Sequence, residues 1–291
     1  MEINSGTKIL GLFGNPSRHS FSPLIQNSFI NHYGIDCVYL AFEPEVESLK
    51  PAFFGARDLG FIGLNITMPF KEMICKLLDK TEGPASIFKA VNTVKFLEKD
   101  RSSIGFSTDG DGVIKSLEDS GLSWEGKKCM IIGAGGAARS AIYSIINKPV
   151  ETIYLFDIDI NKSEMLLNIF KKHGKINVIK DINNIEKNFY KTIDLLINCS
   201  PAGMKINGVE SDLLPVPKDW NLKKMTVFDM VYEPLNTPLI KKAESDGSDK
   251  IIKGIEMLIN QAACSFRIWF DVMPEESLIK KTKNKIIKSW I

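Results

Sequence analysis

The sequence has 291 residues, enough for two domains of ordinary size, and it is 44% hydrophobic and 25% charged, as globular proteins are. A net charge of +2 in a mixed background gives no support to a nucleic-acid or membrane-surface role. We expect no membrane span, because no apolar run approaches roughly 18 residues, and no signal peptide at the first residues. The lysine-rich stretch 280–288 is interpreted as a solvated helix face.

The five cysteines are scattered, and none forms a Cys-x-x-Cys pair. This pattern is typical of reduced thiols, and we therefore expect a cytoplasmic protein. The three histidines, His19, His32 and His173, show no metal-ligand spacing, so we expect no metal site.

Short β-rich runs alternate with helical patterns in the first part of the chain. The predicted elements are strands at 9–14, 38–42 and 63–66 and helices at 23–33 and 46–59. This alternation predicts a parallel or mostly parallel sheet covered by helices. Ser20 and Ser22 place two hydroxyls one residue apart where the first strand gives way to a helix, which raises the question of their common partner.

The alternation restarts at Lys128. The predicted elements are strands at 129–132, 152–156, 194–198 and 225–229 and helices at 237–245 and 255–269. The break falls between residues 109 and 126, and the last helices have no strand to follow. We therefore expect two α/β domains, one formed by 1–108 plus 254–291 and the other by 109–253.

The segment Gly133-x-Gly135-x-x-Ala138 fits the glycine fingerprint that binds a dinucleotide pyrophosphate. It follows a predicted strand and opens a predicted helix, the context that this fingerprint requires. The alternative is a tight structural turn without a ligand.

Two aspartates follow the next predicted strand, and the first, Asp157, stands 24 positions after Gly133, where a carboxylate would bond the adenosine ribose. A 2′-phosphate would meet both Asp157 and Asp159. At about 4 Å, each pair of like charges repels by about 1 kcal/mol in water and about 4 kcal/mol at an effective dielectric constant of about 20. This favours NAD over NADP unless Lys162 or another base compensates, and the alternative is that both aspartates are solvated loop residues.

Five polar residues of the first domain stand near predicted strand ends or the domain junction. Asn65 and Thr67 stand at the end of a predicted strand, Asn92 interrupts an apolar run, and Asp109 lies at the junction. Lys71 is expected at the start of a helix, where the helix dipole disfavours a cation. Each has a structural explanation, such as a turn, a helix cap or a satisfied buried amide. Together they indicate a functional site.

Eight ordered motifs resemble those of the shikimate dehydrogenase family, and the resemblance extends from residue 11 to residue 269. They are Ser20-Phe21-Ser22-Pro23, Asn65-Ile66-Thr67-Met68-Pro69-Phe70-Lys71, Ala90-Val91-Asn92-Thr93, Thr108-Asp109, Gly133-Ala134-Gly135-Gly136-Ala137-Ala138-Arg139, Asn198-Cys199-Ser200-Pro201-Ala202-Gly203-Met204, Asp229-Met230-Val231-Tyr232-x-Pro234 and Gly254-x-x-Met257-Leu258-x-x-Gln261.

The resemblance implies a fold and an activity. The fold is an N-terminal α/β substrate domain and a Rossmann-type dinucleotide-binding domain, with an active-site cleft between them. The activity is the reversible reduction of 3-dehydroshikimate to shikimate by a reduced nicotinamide dinucleotide, NADP or NAD, in the biosynthesis of aromatic amino acids.

The resemblance also implies roles for particular residues. Lys71 and Asp109 would form the catalytic pair, with Lys71 as proton donor in reduction, and Ser20 and Ser22 would bind the shikimate carboxylate. The other substrate-binding residues would be Asn65, Thr67, Asn92, Gln261 and, near the nicotinamide, Tyr232. The cofactor-binding residues would be Gly133, Ala134, Gly135, Gly136, Ala137, Asp157, Asp159, Ser200, Met204 and Gly254.

Three positions depart from the family pattern. Gln26 stands where a histidine is usual, with little effect expected, and Ser107 replaces an asparagine, which is expected to loosen that turn. Asp157-Ile158-Asp159 replaces an Asn-Arg-Ser/Thr sequence whose arginine clamps the 2′-phosphate. The missing arginine agrees with the charge argument, and both favour NAD.

Two alternatives to a shikimate dehydrogenase remain open at this point. One is a quinate or dual quinate/shikimate dehydrogenase, which the intact pair of serines does not exclude. The other is a non-catalytic metabolite sensor, against which the presence of both Lys71 and Asp109 argues. The sequence leaves the choice between a monomer and a homodimer open.

Overall fold

The computed structural model describes residues 2–186, 188–205 and 209–289. The chain forms two compact units, Met1–Thr108 with Ile259–Ile291 and Asp109–Leu258. The second boundary lies inside a helix, Gly254–Phe270, whose first residue is the boundary expected from the sequence.

Six strands form the sheet of the first unit. They are β1 (Lys8–Phe13), β2 (Cys37–Phe42), β3 (Gly63–Ile66), β4 (Lys80–Thr81), β5 (Thr93–Phe96) and β6 (Ser103–Phe106). Their order is β2-β1-β3-β5-β6-β4, and β1 is parallel to both β2 and β3. The prediction of a mostly parallel sheet holds for these three strands, but β5 is antiparallel to β3 and β6. The connection between β5 and β6 is too short for a crossover helix, so the chain reverses direction there.

The helices of the first unit are α1 (Ser22–His32), α2 (Leu49–Asp58), α3 (Pro84–Phe88), the C-terminal part of α8 (Gly254–Phe270) and α9 (Glu276–Ser289). Helix α2 shows how they cover the sheet, because Leu49, Phe53 and Ala56 recur at helical spacing and are all buried. Phe53 packs against Phe96 of β5, with ring centroids 5.5 Å apart, in the hydrophobic core of this unit.

The strand directions place several chain segments at one edge of this sheet. The carboxyl ends of β1 and β3 meet there because the two strands are parallel. The register also pairs Asn65 with Thr93 and Thr93 with Phe106, so the start of β5 and the end of β6 lie at the same edge.

The helix predicted to start at Lys71 does not form, and that prediction was wrong. Residues 68–73 form turns, followed by a short 3₁₀ segment, Ile74–Lys76. The carbonyl of Lys71 accepts a hydrogen bond from the backbone N–H of Val91 at 2.9 Å. In an α-helix this carbonyl would instead accept from the N–H four residues further along the chain. The argument from an unfavourable helix dipole at Lys71 therefore does not apply.

The second unit contains a parallel sheet. Its strands are β7 (Lys128–Ile132), β8 (Thr152–Phe156), β9 (Ile176–Val178), β10 (Leu195–Asn198), β11 (Thr226–Asp229) and β12 (Lys250–Ile252). Their order is β12-β11-β10-β7-β8-β9, and each neighbouring pair is parallel. The strand order changes direction between β7 and β10, the position where ligands bind in open α/β sheets.

Helices precede, separate and follow the strands of the second unit. They are α4 (Asp109–Asp119), α5 (Gly136–Ile146), α6 (Ile160–Phe170), α7 (Pro238–Asp246) and the first turn of α8. Helices alternating with the strands of one mixed and one parallel sheet confirm the predicted α/β class. Along the described residues, no helix has both the length and the apolar character needed to span a membrane.

Candidate active site

The hydroxyls of Ser20 and Ser22 lie side by side after β1. The chain turns into α1 at Phe21, whose φ and ψ are −79° and −6°, and Ser22 is the first helical residue. As a result, the Ser20 hydroxyl donates to the Ser22 hydroxyl at 3.1 Å, and the Ser22 backbone N–H donates to the Ser20 Oγ at 3.2 Å. Two hydroxyls this close can donate to the same anionic group.

Tyr39 joins these serines to Asn65. Its hydroxyl donates to the Asn65 Oδ1 at 2.8 Å and also bonds the Ser22 hydroxyl. Complete burial raises the pKa of Tyr39 well above its usual value, so its hydroxyl stays a neutral donor. Sequence reasoning missed Tyr39, because an aromatic residue inside a strand carries no sign of a polar role.

Asn65 lies within β3, whose bounds are those of the predicted strand at 63–66, and it is buried. Its amide donates to the Asn92 carbonyl at 2.9 Å, to the Thr93 Oγ1 at 3.1 Å and to the Ser265 Oγ at 3.2 Å. Ser265 was also missed, although a small polar residue four positions after Gln261 shares its helix face.

Asn92 is the second buried amide of this edge. Its Oδ1 accepts from the Thr108 backbone N–H at 2.9 Å, and its Nδ2 donates to the Thr108 Oγ1 at 2.9 Å. The same Nδ2 lies 3.4 Å from the Gln261 Oε1. Three of the predicted substrate-binding residues, Asn65, Asn92 and Gln261, thus belong to one hydrogen-bonded network.

Thr67 and Lys71 follow β3 at the same edge. The Thr67 backbone N–H donates to the Phe13 carbonyl at 2.9 Å, and the Lys71 carbonyl is bonded to Val91, next to Asn92. Both Thr67 and Lys71 are half-buried. Asp109, the other predicted catalytic residue, is the first residue of α4 and belongs to the second unit.

The glycine loop of the second unit connects β7 to α5. Gly133 has a φ of +96°, and an added Cβ would lie 2.8 Å from the backbone nitrogen of Ser200, so this position requires glycine. Helix α5 begins at Gly136 with no capping side chain and no acidic residue in its first turn. An added Cβ at Gly135 or Gly136 would meet nothing within 4 Å. A helix start without a capping side chain or an acidic residue fits a pyrophosphate, to which its N–H groups can donate.

Asp157 and Asp159 both have structural partners. The Asp157 carboxylate accepts from the Ala134 N–H at 2.7 Å and from the Asp159 N–H at 2.8 Å. Asp159 caps α6 by accepting from the Asn161 N–H at 3.1 Å. They are therefore not merely solvated loop residues. Between them, Ile158 is 96% exposed at the position of the family's arginine.

The remaining residues predicted to bind cofactor are in the second unit. Ser200 donates through its hydroxyl to the Asn198 Oδ1 at 2.6 Å, and Met204 closes a turn by donating to the Pro201 carbonyl at 3.0 Å. Gly254 is the first residue of α8. Tyr232, predicted to bind substrate near the nicotinamide, also lies in this unit and is 37% exposed.

Family models match two parts of the chain. Residues 12–94 match the substrate-binding domain of shikimate dehydrogenase. Residues 254–282 match the C-terminal domain of shikimate 5′-dehydrogenase.

Curated relatives align with nearly the whole chain. A shikimate dehydrogenase (NADP⁺) of Methanococcus maripaludis is 38% identical over 283 residues, which are 96% of this chain and 98% of the relative. One from Archaeoglobus fulgidus is 34% identical over 279 residues, with the same coverage of 96% and 98%.

Solved structures have the same fold. A shikimate dehydrogenase in complex with NADP⁺ superposes with a TM-score of 0.87 at 34% identity and covers 98% of both chains. The shikimate 5-dehydrogenase of Listeria monocytogenes, in complex with shikimate and NAD, superposes with a TM-score of 0.86 at 32% identity. The match covers 97% of this chain and 98% of the Listeria chain. This chain therefore belongs to the shikimate dehydrogenase family.

Proposed function

We propose that this protein catalyses the reversible oxidation of shikimate to 3-dehydroshikimate with a nicotinamide dinucleotide. The observation that supports this most directly is the paired hydroxyls of Ser20 and Ser22, 3.1 Å apart and linked through Tyr39 to the buried amide of Asn65. An anion-binding pair beside a row of amides suits a ring that carries one carboxylate and several hydroxyls.

In this proposal the first unit binds the substrate. Ser20 and Ser22 donate to the shikimate carboxylate, and Asn65, Thr67, Asn92 and Gln261 bind the ring hydroxyls. The network among the buried amides orients the side chains before substrate arrives, and less conformational entropy is then lost on binding.

The chemistry divides between the cofactor and two side chains. A bound nicotinamide would supply the hydride acceptor for the carbon that carries the reacting hydroxyl. Lys71 takes the proton of that hydroxyl in oxidation and returns it in reduction, and Asp109 is its catalytic partner and binds a ring hydroxyl. Tyr232 lines the site near the nicotinamide.

The second unit binds the cofactor. Gly133 and Ala134 shape the glycine loop through their own hydrogen bonds, and the N–H groups of Gly135, Gly136 and Ala137 at the start of α5 bind the pyrophosphate. Asp157 and Asp159 lie by the adenosine ribose, and Ser200, Met204 and Gly254 lie by the nicotinamide half.

We further propose a preference for NAD. Asp157 and Asp159 would repel a 2′-phosphate, and the exposed Ile158 offers no cation to bind it. The relatives named for NADP⁺ make this a point on which this chain is expected to differ from them.

The proposal is tested by following the absorbance of the reduced nicotinamide with shikimate or quinate, each with NAD and NADP. The highest kcat/KM is expected for shikimate with NAD. Absence of shikimate turnover with either cofactor would contradict the function, whereas a higher kcat/KM with NADP would contradict only the cofactor preference.

A further inference from the structure

Asn198 and Asp229 form a buried hydrogen-bonded pair in the second unit. They are the last residues of β10 and β11, are paired in register and are both fully buried. The Asn198 Nδ2 donates to the Asp229 Oδ1 at 2.9 Å. Burial raises the pKa of Asp229 to about 6, against a normal value of 3.8. A carboxylate kept at such a position at the expense of stability calls for a functional reason.

Asn198 holds the segment that follows β10, residues 199–204. Its Oδ1 accepts from the Ser200 backbone N–H at 3.1 Å and from the Ser200 hydroxyl at 2.6 Å. Its Nδ2 also donates to the Ala202 carbonyl at 3.3 Å. One side chain thus fixes the first turn of this segment.

Asp229 holds the segment that follows β11, residues 230–237. Its Oδ1 accepts from the Val231 backbone N–H at 3.0 Å, and its Oδ2 accepts from the Thr237 hydroxyl at 2.5 Å. The Thr237 Oγ1 in turn accepts from the Ile240 N–H at the start of α7. Tyr232 therefore lies in a segment whose two ends are bonded to the same carboxylate.

Two glycines contact these segments through their backbones. Gly133 packs against Ser200, as described above, and an added Cβ at Gly254 would lie 2.5 Å from the Val231 carbonyl oxygen. Small displacements of either segment would therefore move it against the glycine loop or the start of α8. Both segments follow strands on one side of β7, whereas Asp157 follows β8 on the other side.

We propose that Asn198 and Asp229 are positioning residues that together fix residues 199–204 and 230–237 as the surface on which the nicotinamide half of the cofactor rests. This inference rests on the proposed function, which places Ser200, Met204 and Tyr232 by that half. The adenosine half, near Asp157, is held independently of the pair.

The test compares the whole dinucleotide with ADP-ribose, which lacks the nicotinamide ring, by calorimetry on the full chain. Asp229→Asn keeps the size of the side chain but removes an acceptor. The Kd of NAD is expected to rise at least about tenfold, because an interaction of about 1.4 kcal/mol is lost, while the Kd of ADP-ribose changes less than about twofold.

Milder variants keep the test independent of folding. Thr237→Val removes the donor to Asp229 and should weaken NAD binding alone, while Thr237→Ser retains the hydroxyl and should restore it. Thr226→Val, at the buried opposite end of β11, is the matched control and should leave both Kd values unchanged.

Three results would overturn the inference: an unchanged Kd of NAD in Asp229→Asn, equal weakening of NAD and ADP-ribose, or identical behaviour of Thr237→Val and Thr237→Ser. The proposed function is judged separately, by turnover of shikimate in the unmodified protein. A protein that binds NAD but does not oxidise shikimate would refute that function, and the ratio of the two Kd values would still decide the role of the pair.

Discussion

In the first unit the polar residues at the sheet edge bond to one another through their side chains, whereas in the second unit the glycine loop presents backbone N–H groups. Asn65 and Asn92 are buried and each has several partners. Gly135 and Gly136 have no side chain and face open space. A site made of interlocked side chains should lose binding and stability together when one member is removed. At a site made of backbone groups, substitution of the surrounding side chains should change which cofactor is preferred.

The largest effect is expected at Lys71, which belongs to the first unit and for which we propose a chemical rather than a binding role. Lys71→Ala should lower kcat for shikimate oxidation by at least about a hundredfold, because the proposed proton-transfer group is lost. Steady-state kinetics would measure this, with Lys76→Ala, an exposed lysine nearby, as the control. Unchanged kcat in Lys71→Ala would remove this lysine from the chemistry.

The next effect concerns the second unit, where the Asp229 carboxylate is fully buried and bonded to Asn198 and Val231. The pKa of Asp229 is about 6 in the native state, against a normal value of 3.8. The native state therefore keeps the carboxyl proton over a pH range in which the unfolded state has released it. The contribution of Asp229 to the free energy of unfolding should therefore fall by about 3 kcal/mol as the pH rises from about 4 to above 6.

Urea denaturation of the unmodified protein and Asp229→Asn across this pH range would check that expectation. The difference in the free energy of unfolding between the two proteins should change with pH in the stated direction. Carboxylates with lowered pKa, such as Asp79, are common to both proteins and cancel in this difference. A difference that does not depend on pH would show that Asp229 does not titrate there.

A third prediction addresses the interlocked network of the first unit. Asn92→Ala would leave the buried backbone N–H of Thr108 without its acceptor and should lower the free energy of unfolding by about 2 kcal/mol. The KM for shikimate should rise in the same variant. Urea denaturation and kinetics would measure both, with the exposed Asn147→Ala as control. A change in KM without loss of stability would contradict the coupling of binding and stability in this unit.

The smallest effect is expected at Ile158, which tests whether specificity in the second unit resides in side chains around the loop. Ile158→Arg places a guanidinium where it can bind a 2′-phosphate and should shift the ratio of kcat/KM for NADP over NAD by about tenfold toward NADP. Ile158→Gln, of similar length but uncharged, should leave the ratio nearly unchanged. The thermal midpoint should stay the same in both variants, because Ile158 is 96% exposed.

Several elements could be predicted from the sequence because their causes are local. The strand, glycine turn and helix around Gly133 follow from an apolar run, a turn that only glycine permits and a helical pattern within about twenty residues. The start of α1 at Ser22, one residue before the helix predicted at 23–33, likewise depends on neighbouring residues. The family resemblance rested on such segments, and the comparisons confirm it.

The sequence by itself thus determined the α/β class, the two alternating series of strands and helices, and the positions of the polar motifs. Only the tertiary structure decided that Lys71 lies in a turn, that β5 runs antiparallel, and which side chains join the predicted residues. Asn65 and Ser265 are 200 positions apart, and Asn198 and Asp229 meet because β10 and β11 are neighbours. Local patterns do not encode such contacts, because they arise from packing between elements distant in the chain.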